Sequence, residues 1–270
     1  MLKARLVLTL LAGFAGLALL AIGVPMLMRV APQSPVQAEA QESDVESAKS
    51  PLFDRTVLMA DLGRSGFTLG DPAFVRIFKR EKRLEIWLQH SSGRFERFRS
   101  YEICNFSGGL GPKLAEGDHQ APEGFYRVGL KQLNPNSRHH LSFNLGFPNG
   151  YDQAHGRTGS ALMVHGGCTS VGCYAMTDEK VDEIYAIVEA ALLAGQDAVS
   201  VHAFPFKMTA DALAGMRNDK WAGFWTNLKE GSDLFEASRV PPRVGICNGD
   251  YRFGRDVADP GCTEIGYWRA

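Results

Sequence analysis

The stretch Val164-His165-Gly166-Gly167-Cys168-Thr169-Ser170-Val171-Gly172-Cys173-Tyr174 is the densest chemical segment of the 270-residue chain. Ahead of it, Ala161-Leu162-Met163-Val164 is a continuous apolar run that reads as a buried strand ending at His165. After it, Val181, Ile184, Ile187, Val188, Ala191 and Leu192 recur at helical spacing. Asp178 is placed as the N-cap of that helix and Gly195 as its terminator. A loop held between strand and helix fixes side chains while leaving them accessible. Cysteine attack requires a thiolate, which a nearby imidazole can generate. Glycines let the backbone approach a substrate and aim N–H groups at a developing oxyanion. The residues allow three arrangements. A Cys–His pair could transfer an acyl group. His165, Cys168 and Cys173 could bind zinc with a remote histidine. Cys168 and Cys173 could form a short disulfide, leaving His165 as a turn residue. Spacing leaves all three open, although the paired C-x2-C knuckles of structural zinc sites are absent.

Outward from this segment the pattern is mostly that of strands. Phe74 to Phe78 and Leu84 to Leu88 alternate around the charged turn Arg80 to Arg83, which predicts a hairpin. Phe95 to Tyr101 continues the meander after Ser91-Ser92-Gly93. Gly108 to Gly124 is dense in Gly and Pro and reads as loop. It lacks the order of a phosphate-binding loop despite Lys113. Phe125 to Val128, Leu141 to Asn144 and Val199 to Phe204 are further short strands. A single helical segment is expected over Ala210 to Lys229, with Trp221, Phe224 and Trp225 as core rather than a glycan platform. The tail from Pro241 reads as irregular, with turns at Asn248-Gly249 and Asp259-Pro260-Gly261. The fold class is therefore mainly β (α+β): an antiparallel β domain with one inserted helix and a helical C-terminal extension.

The composition, 45% hydrophobic and 22% charged, is that of a globular chain rather than a disordered one. With 29 basic and 30 acidic residues the charges cancel, so no nucleic-acid partner is expected. Leu6 to Met28 is an apolar run long enough to cross a bilayer, preceded by Lys3 and Arg5. The positive-inside rule then exports the remainder. Residues 1–30 are thus expected to be a membrane anchor or a signal peptide, for which Ala38-Glu39-Ala40 is a small-x-small cleavage pattern. Both readings place the folded part in the periplasm. Residues 31–52, rich in Pro, Gln, Ser, Glu and Ala, read as a flexible linker.

Several motifs in matching order resemble one family. His165-Gly166 followed by Ser170-x-Gly172-Cys173 is similar to the signature of the L,D-transpeptidase catalytic domain, the YkuD-type family of cell-wall enzymes. Gly117 to Tyr126 resembles its Thr-Pro-x-Gly-x-Tyr stretch, with Ala121 in place of Thr. Asn134 to Arg138, His155 to Ser160, Gly172 to Thr177 and Val201 to Phe206 resemble the YafK-like murein branch. Two departures from the broad family occur. Only four residues separate His165 from Ser170, and Tyr174-Ala175 replaces the usual arginine step. Both are also features of that branch. The resemblance implies a β-sandwich catalytic domain at 53–206 and an extension at 207–270 packed on it. It implies Cys173 as nucleophile, His165 as general base, the Gly166 carbonyl as its orienting acceptor, and N–H groups around Gly172 and Cys173 as oxyanion hole. The implied reaction is attack on the meso-diaminopimelate–D-Ala bond of peptidoglycan tetrapeptide stems, with a thioester resolved by an amine. No cofactor or metal is implied. One alternative is a thiol hydrolase releasing a wall-bound lipoprotein. A further alternative is a non-catalytic wall-binding module.

Other residues carry weaker expectations. Arg157 is a candidate for a stem-peptide carboxylate, or else a loop salt bridge. His155 is a candidate cleft residue or a local hydrogen-bonding one. Ser170 and Tyr174 flank Cys173 as candidate substrate contacts, Ser170 also suiting a turn hydroxyl. His202 lies between apolar strand residues and reads as structural. Five cysteines leave one without a partner in an oxidising compartment. With Cys173 as nucleophile, Cys247–Cys262 is the favoured disulfide, and Cys168 is a candidate to pair reversibly with Cys173.

Overall fold

The computed structural model describes residues 53–254, 257 and 260–266. The expected anchor at 1–30 and the linker at 31–52 lie outside the described residues. In chain order the elements are α1 (Arg55–Arg64), β1 (Ala73–Phe78), β2 (Arg83–Gln89), β3 (Phe95–Glu102), β4 (Asn105–Phe106) and β5 (Gly124–Val128). A short 3-10 turn, Leu130–Gln132, leads into β6 (Leu133–Ser137), β7 (His140–Asn144) and α2 (Gly150–Ala154). β8 (Met163–His165), β9 (Tyr174–Ala175), α3 (Asp178–Leu193) and β10 (Val199–Phe204) complete the central part. Then come α4 (Ala210–Ala214), α5 (Ala222–Ser238), β11 (Val244–Cys247), β12 (Asp250–Phe253) and β13 (Cys262–Gly266).

Two five-stranded sheets carry the architecture, in the orders β3-β2-β1-β10-β5 and β4-β9-β8-β7-β6. Pairing is antiparallel except for β1 with β10 and β8 with β9. Val75 and Ile77 of β1 point into a core shared with Val164, Tyr174 and the apolar face of α3. Phe78 of the same strand and Phe125 and Phe204 of its sheet point the other way, into a second core with Trp225, Leu228, Ile246 and Tyr251. The first sheet is therefore covered on both faces, which is why all six residues of β1 are buried. Gly231 lets α5 sit this close: a Cβ there would fall 2.7 Å from the Phe125 ring.

Four sequence expectations need correction. The segment Ala210 to Lys229 is two helices, because Gly215 closes α4 and the Asp219 carboxylate binds the Trp221 N–H just ahead of α5. The tail from Pro241 is a three-stranded sheet, β12-β11-β13. Its hairpin turns on Asn248 and Gly249, both at positive φ (54° and 88°), the geometry that Asn-Gly favours. The predicted strand at Ala161 starts only at Met163, since Ala161 itself is in the left-handed region at φ 52°. The N-cap of α3 is Thr177, one residue before the expected Asp178, and this releases the Asp178 side chain for the site.

Candidate active site

β8 and β9 set the face on which the chemistry sits. Their parallel register pairs Val164 with Tyr174 and His165 with Ala175. Val164 and Tyr174 are wholly buried in the core. Side chains alternate along a strand, so Met163 and His165 share the opposite face. Extending the register by one residue sets Cys173 against Met163 on that face. The contact is direct: the Met163 N–H lies 3.4 Å from Cys173 Sγ, and the thiol is 3.5 Å from the Ala161 carbonyl. Among the five cysteines only Cys173 is free.

His165 is fixed by its neighbour. Its Nδ1 lies 2.6 Å from the Gly166 carbonyl oxygen, so Nδ1 carries the proton and Nε2 is left as the basic nitrogen. Position 166 admits only glycine, because a Cβ would fall 2.5 Å from Asp178 Oδ1 and 3.0 Å from the His139 carbonyl. Asp178 accepts the Gly167 N–H at 2.8 Å and ties the start of α3 to the loop. Burial holds the His165 pKa below its usual value, with the His139 ring pushing the same way and the Gly166 carbonyl opposing. Burial pushes the Cys173 thiol up, opposed by the Met163 N–H and the charge of Lys113.

The loop between them is clamped. Ser170 Oγ donates to the Cys173 carbonyl (2.7 Å) and accepts the Cys173 N–H (3.0 Å) and the Ser107 hydroxyl (3.0 Å). The Cys173 N–H is therefore already bonded in this state. Gly172, at φ 96°, donates its N–H to no acceptor among the described residues. Cys168 is bonded to Cys104, a residue 64 positions earlier, which corrects the expected Cys168–Cys173 pairing and removes Cys168 as a zinc ligand. Cys247–Cys262 is the second disulfide.

The flanking glycine-rich loop is held from behind. Tyr174 is fully buried and its hydroxyl donates to the Pro122 carbonyl at 2.6 Å, so its side chain belongs to the interior and not to a substrate surface. Glu123 accepts the Gly111 N–H (2.8 Å), the Trp225 indole N–H (2.9 Å) and Lys79 Nζ (3.0 Å), all buried. Arg157 is paired internally with Asp152 at 2.8 Å and covers the Tyr151 and Phe224 rings. It holds a loop rather than offering a free fork. His155 stacks on Tyr151 and contacts its carbonyl at 2.9 Å. These three substrate expectations thus fall on structural positions, and Ser170 on the backbone of the nucleophile itself.

A groove of about 1010 Å³ reaches Met163, whose N–H contacts Cys173, although neither Cys173 nor His165 lines it. Asn134, Ser142, Asn144 and Met163 line its sheet side, and Arg127, Lys131 and Asn149 lie farther along. Ser142 stands opposite His165 and Asn144 opposite Met163 in the sheet register, so the groove starts at the nucleophile's neighbours. Sequence reading missed this wall, along with His139 and Asp178. The polar residues of β6 and β7 carried the only signal for it.

The chain is similar to several known proteins. The model of the YkuD family, the L,D-transpeptidase catalytic domain, matches residues 73–202. YafK of Escherichia coli K12, provisionally named an L,D-transpeptidase, is 45% identical over 183 residues, covering 68% of this chain and 74% of that protein. Its counterpart in strain O157:H7 matches equally. Among solved structures, the helical cell shape determining protein Pgp2 of Campylobacter jejuni aligns at 20% identity with a TM-score of 0.42, over 68% of this chain and 64% of that one. Bd1075 of Bdellovibrio bacteriovorus aligns at 14% identity and a TM-score of 0.36, over 61% of this chain and 58% of that one.

Proposed function

Because the chain belongs to the L,D-transpeptidase catalytic-domain family, we propose that it is a peptidoglycan L,D-transpeptidase working through a thioester on Cys173. The observation that carries this reading is the free Cys173 on the same sheet face as His165, whose Nδ1 is fixed by the Gly166 carbonyl. Cys173 Sγ attacks the carbonyl carbon of meso-diaminopimelate in a tetrapeptide stem while His165 Nε2 takes the thiol proton. The Gly172 N–H, bonded to no acceptor among the described residues, is the proposed donor to the oxygen that gains charge, and a donor of this kind contributes about 3–4 kcal/mol. The C–N bond to D-Ala breaks, and His165 returns the proton to the leaving amine. A wall amine then attacks the thioester, forming a new C–N bond and releasing the thiolate, which is reprotonated.

The groove beside Met163 is the proposed seat of the stem peptides, with Arg127 and Lys131 offered to their carboxylates. Two disulfides suit an oxidising compartment, which supports export to the periplasm behind the Leu6 to Met28 segment. Incubation with isolated sacculi, followed by muropeptide profiling, tests the reaction. New cross-links between diaminopimelate residues are expected, and Cys173→Ala should make none. Stem shortening or lipoprotein release without new cross-links would move the assignment to a hydrolase. Absence of a carbapenem adduct on Cys173 of the folded protein would point to the non-catalytic module.

A further inference from the structure

His139 lies in the tight turn between β6 and β7, where Ser137 pairs with His140. Its ring is exposed and sits over the buried ring of His165, with centroids 4.7 Å apart and planes 37° apart. Its backbone carbonyl accepts the Gly166 N–H at 3.0 Å, a donor shared with the Leu141 carbonyl at 3.2 Å. The Gly166 carbonyl, in turn, is the acceptor for His165 Nδ1 at 2.6 Å. One residue therefore meets the base twice: by its ring from the solvent side, and by its carbonyl through Gly166, the residue whose own carbonyl orients the imidazole. We propose that His139 is a positioning residue for His165, and that its own protonation couples the activity of the base to acidity. This rests on the reading of His165 as the general base.

The physical basis is local. A packed ring restricts the tilt of its neighbour, and small misplacements of a general base are costly to rate. When His139 carries a proton, its positive charge opposes a second proton on His165. The other titratable or charged groups around the pair are Cys173, Asp178 at the start of α3, and His140, which Asp182 holds at 2.6 Å. None of them stacks on the imidazole. Burial is the main cause that keeps His165 below its usual range, and His139 adds to it.

The test uses the full-length chain in mild detergent, with His139→Ala and His139→Phe. Two measurements are made over about pH 5 to 9: carbapenem acylation of Cys173 by intact mass, and the His165 ring titration by NMR. His139→Ala should slow plateau acylation roughly tenfold. His139→Phe keeps a stacking ring without the charge, so plateau acylation should return to within roughly twofold of the native rate. In the same variant the acid limb and the His165 titration should both move to higher pH. Native acylation in His139→Ala, or an unmoved His165 titration in His139→Phe, would overturn the proposal. A Cys173 that never acylates in the native chain would instead count against the enzyme reading, and the NMR titration would still decide the coupling.

Discussion

Burial displaces His165 and Cys173 from their ordinary titration ranges in opposite senses, the imidazole downward and the thiol upward. Near neutral pH both partners are therefore uncharged. On the proposed mechanism, proton transfer to His165 accompanies attack on the carbonyl. As the proposed base His165 acts when neutral, and its lowered pKa keeps it neutral to lower pH than a free histidine. Carbapenem acylation should accordingly rise with pH to a plateau, with the midpoint of its acid limb below the ordinary histidine value of 6.5. His165→Gln should reduce the plateau by about 10²–10⁴-fold. A midpoint above 6.5 in the native protein would contradict burial as the main influence. At this scale much was legible in the sequence. Cys173, His165, Gly166 and Gly172 sit within nine residues of one another, and the motif is local. Tyr174, a candidate because it flanks Cys173, is fully buried, since alternation along the chain sends adjacent side chains to opposite sides.

At the scale of elements, the segment from Ser107 to Gly124 has little regular structure yet sits against the nucleophile loop. It is bonded forward to Ser170 and Tyr174 and backward, through Glu123, to Lys79 and Trp225. The C-terminal helix α5 thus braces the loop beside Cys173. Glu123→Gln would leave Lys79 as an unpaired buried charge, a loss of about 3–5 kcal/mol. Urea unfolding should show that loss, and acylation of Cys173 should slow with it. An unchanged unfolding midpoint would rule out the brace. Sequence periodicity placed β1, β2, β3, β10 and α3 well, since each is a run with one clear period. It missed α1, the two-residue strands β4 and β9, and the C-terminal sheet. Short strands carry too few residues to show a period, and their pairing comes from partners far along the chain.

Over the whole molecule, two covalent links divide the work. Cys104–Cys168 closes 64 residues and pins the loop between His165 and Cys173, while Cys247–Cys262 closes 15 residues in the tail sheet. The entropic value of closing the longer loop is about 4 kcal/mol, against about 3 kcal/mol for the shorter. The double variant Cys104→Ser/Cys168→Ser should lower the melting temperature and slow acylation together. Cys247→Ser/Cys262→Ser should lower the melting temperature and leave acylation nearly native. Calorimetry and intact-mass kinetics on the two variants distinguish these outcomes. Equal acylation rates would remove the Cys104–Cys168 bond from the active site's support.

The sequence alone picked out residues 164–174 as the candidate site, framed them with a strand and a helix, and favoured one of the two disulfides. All of these are encoded within a few residues, where periodicity, turn preference and motif order act directly. Only the tertiary structure decided the partner of Cys168, the internal pairing of Arg157, the ring of His139 over His165, and the groove beside Met163. Each depends on register and on which face of a strand meets which neighbour. A shift of one residue reverses every side chain, so no local pattern settles these contacts before the sheets have closed.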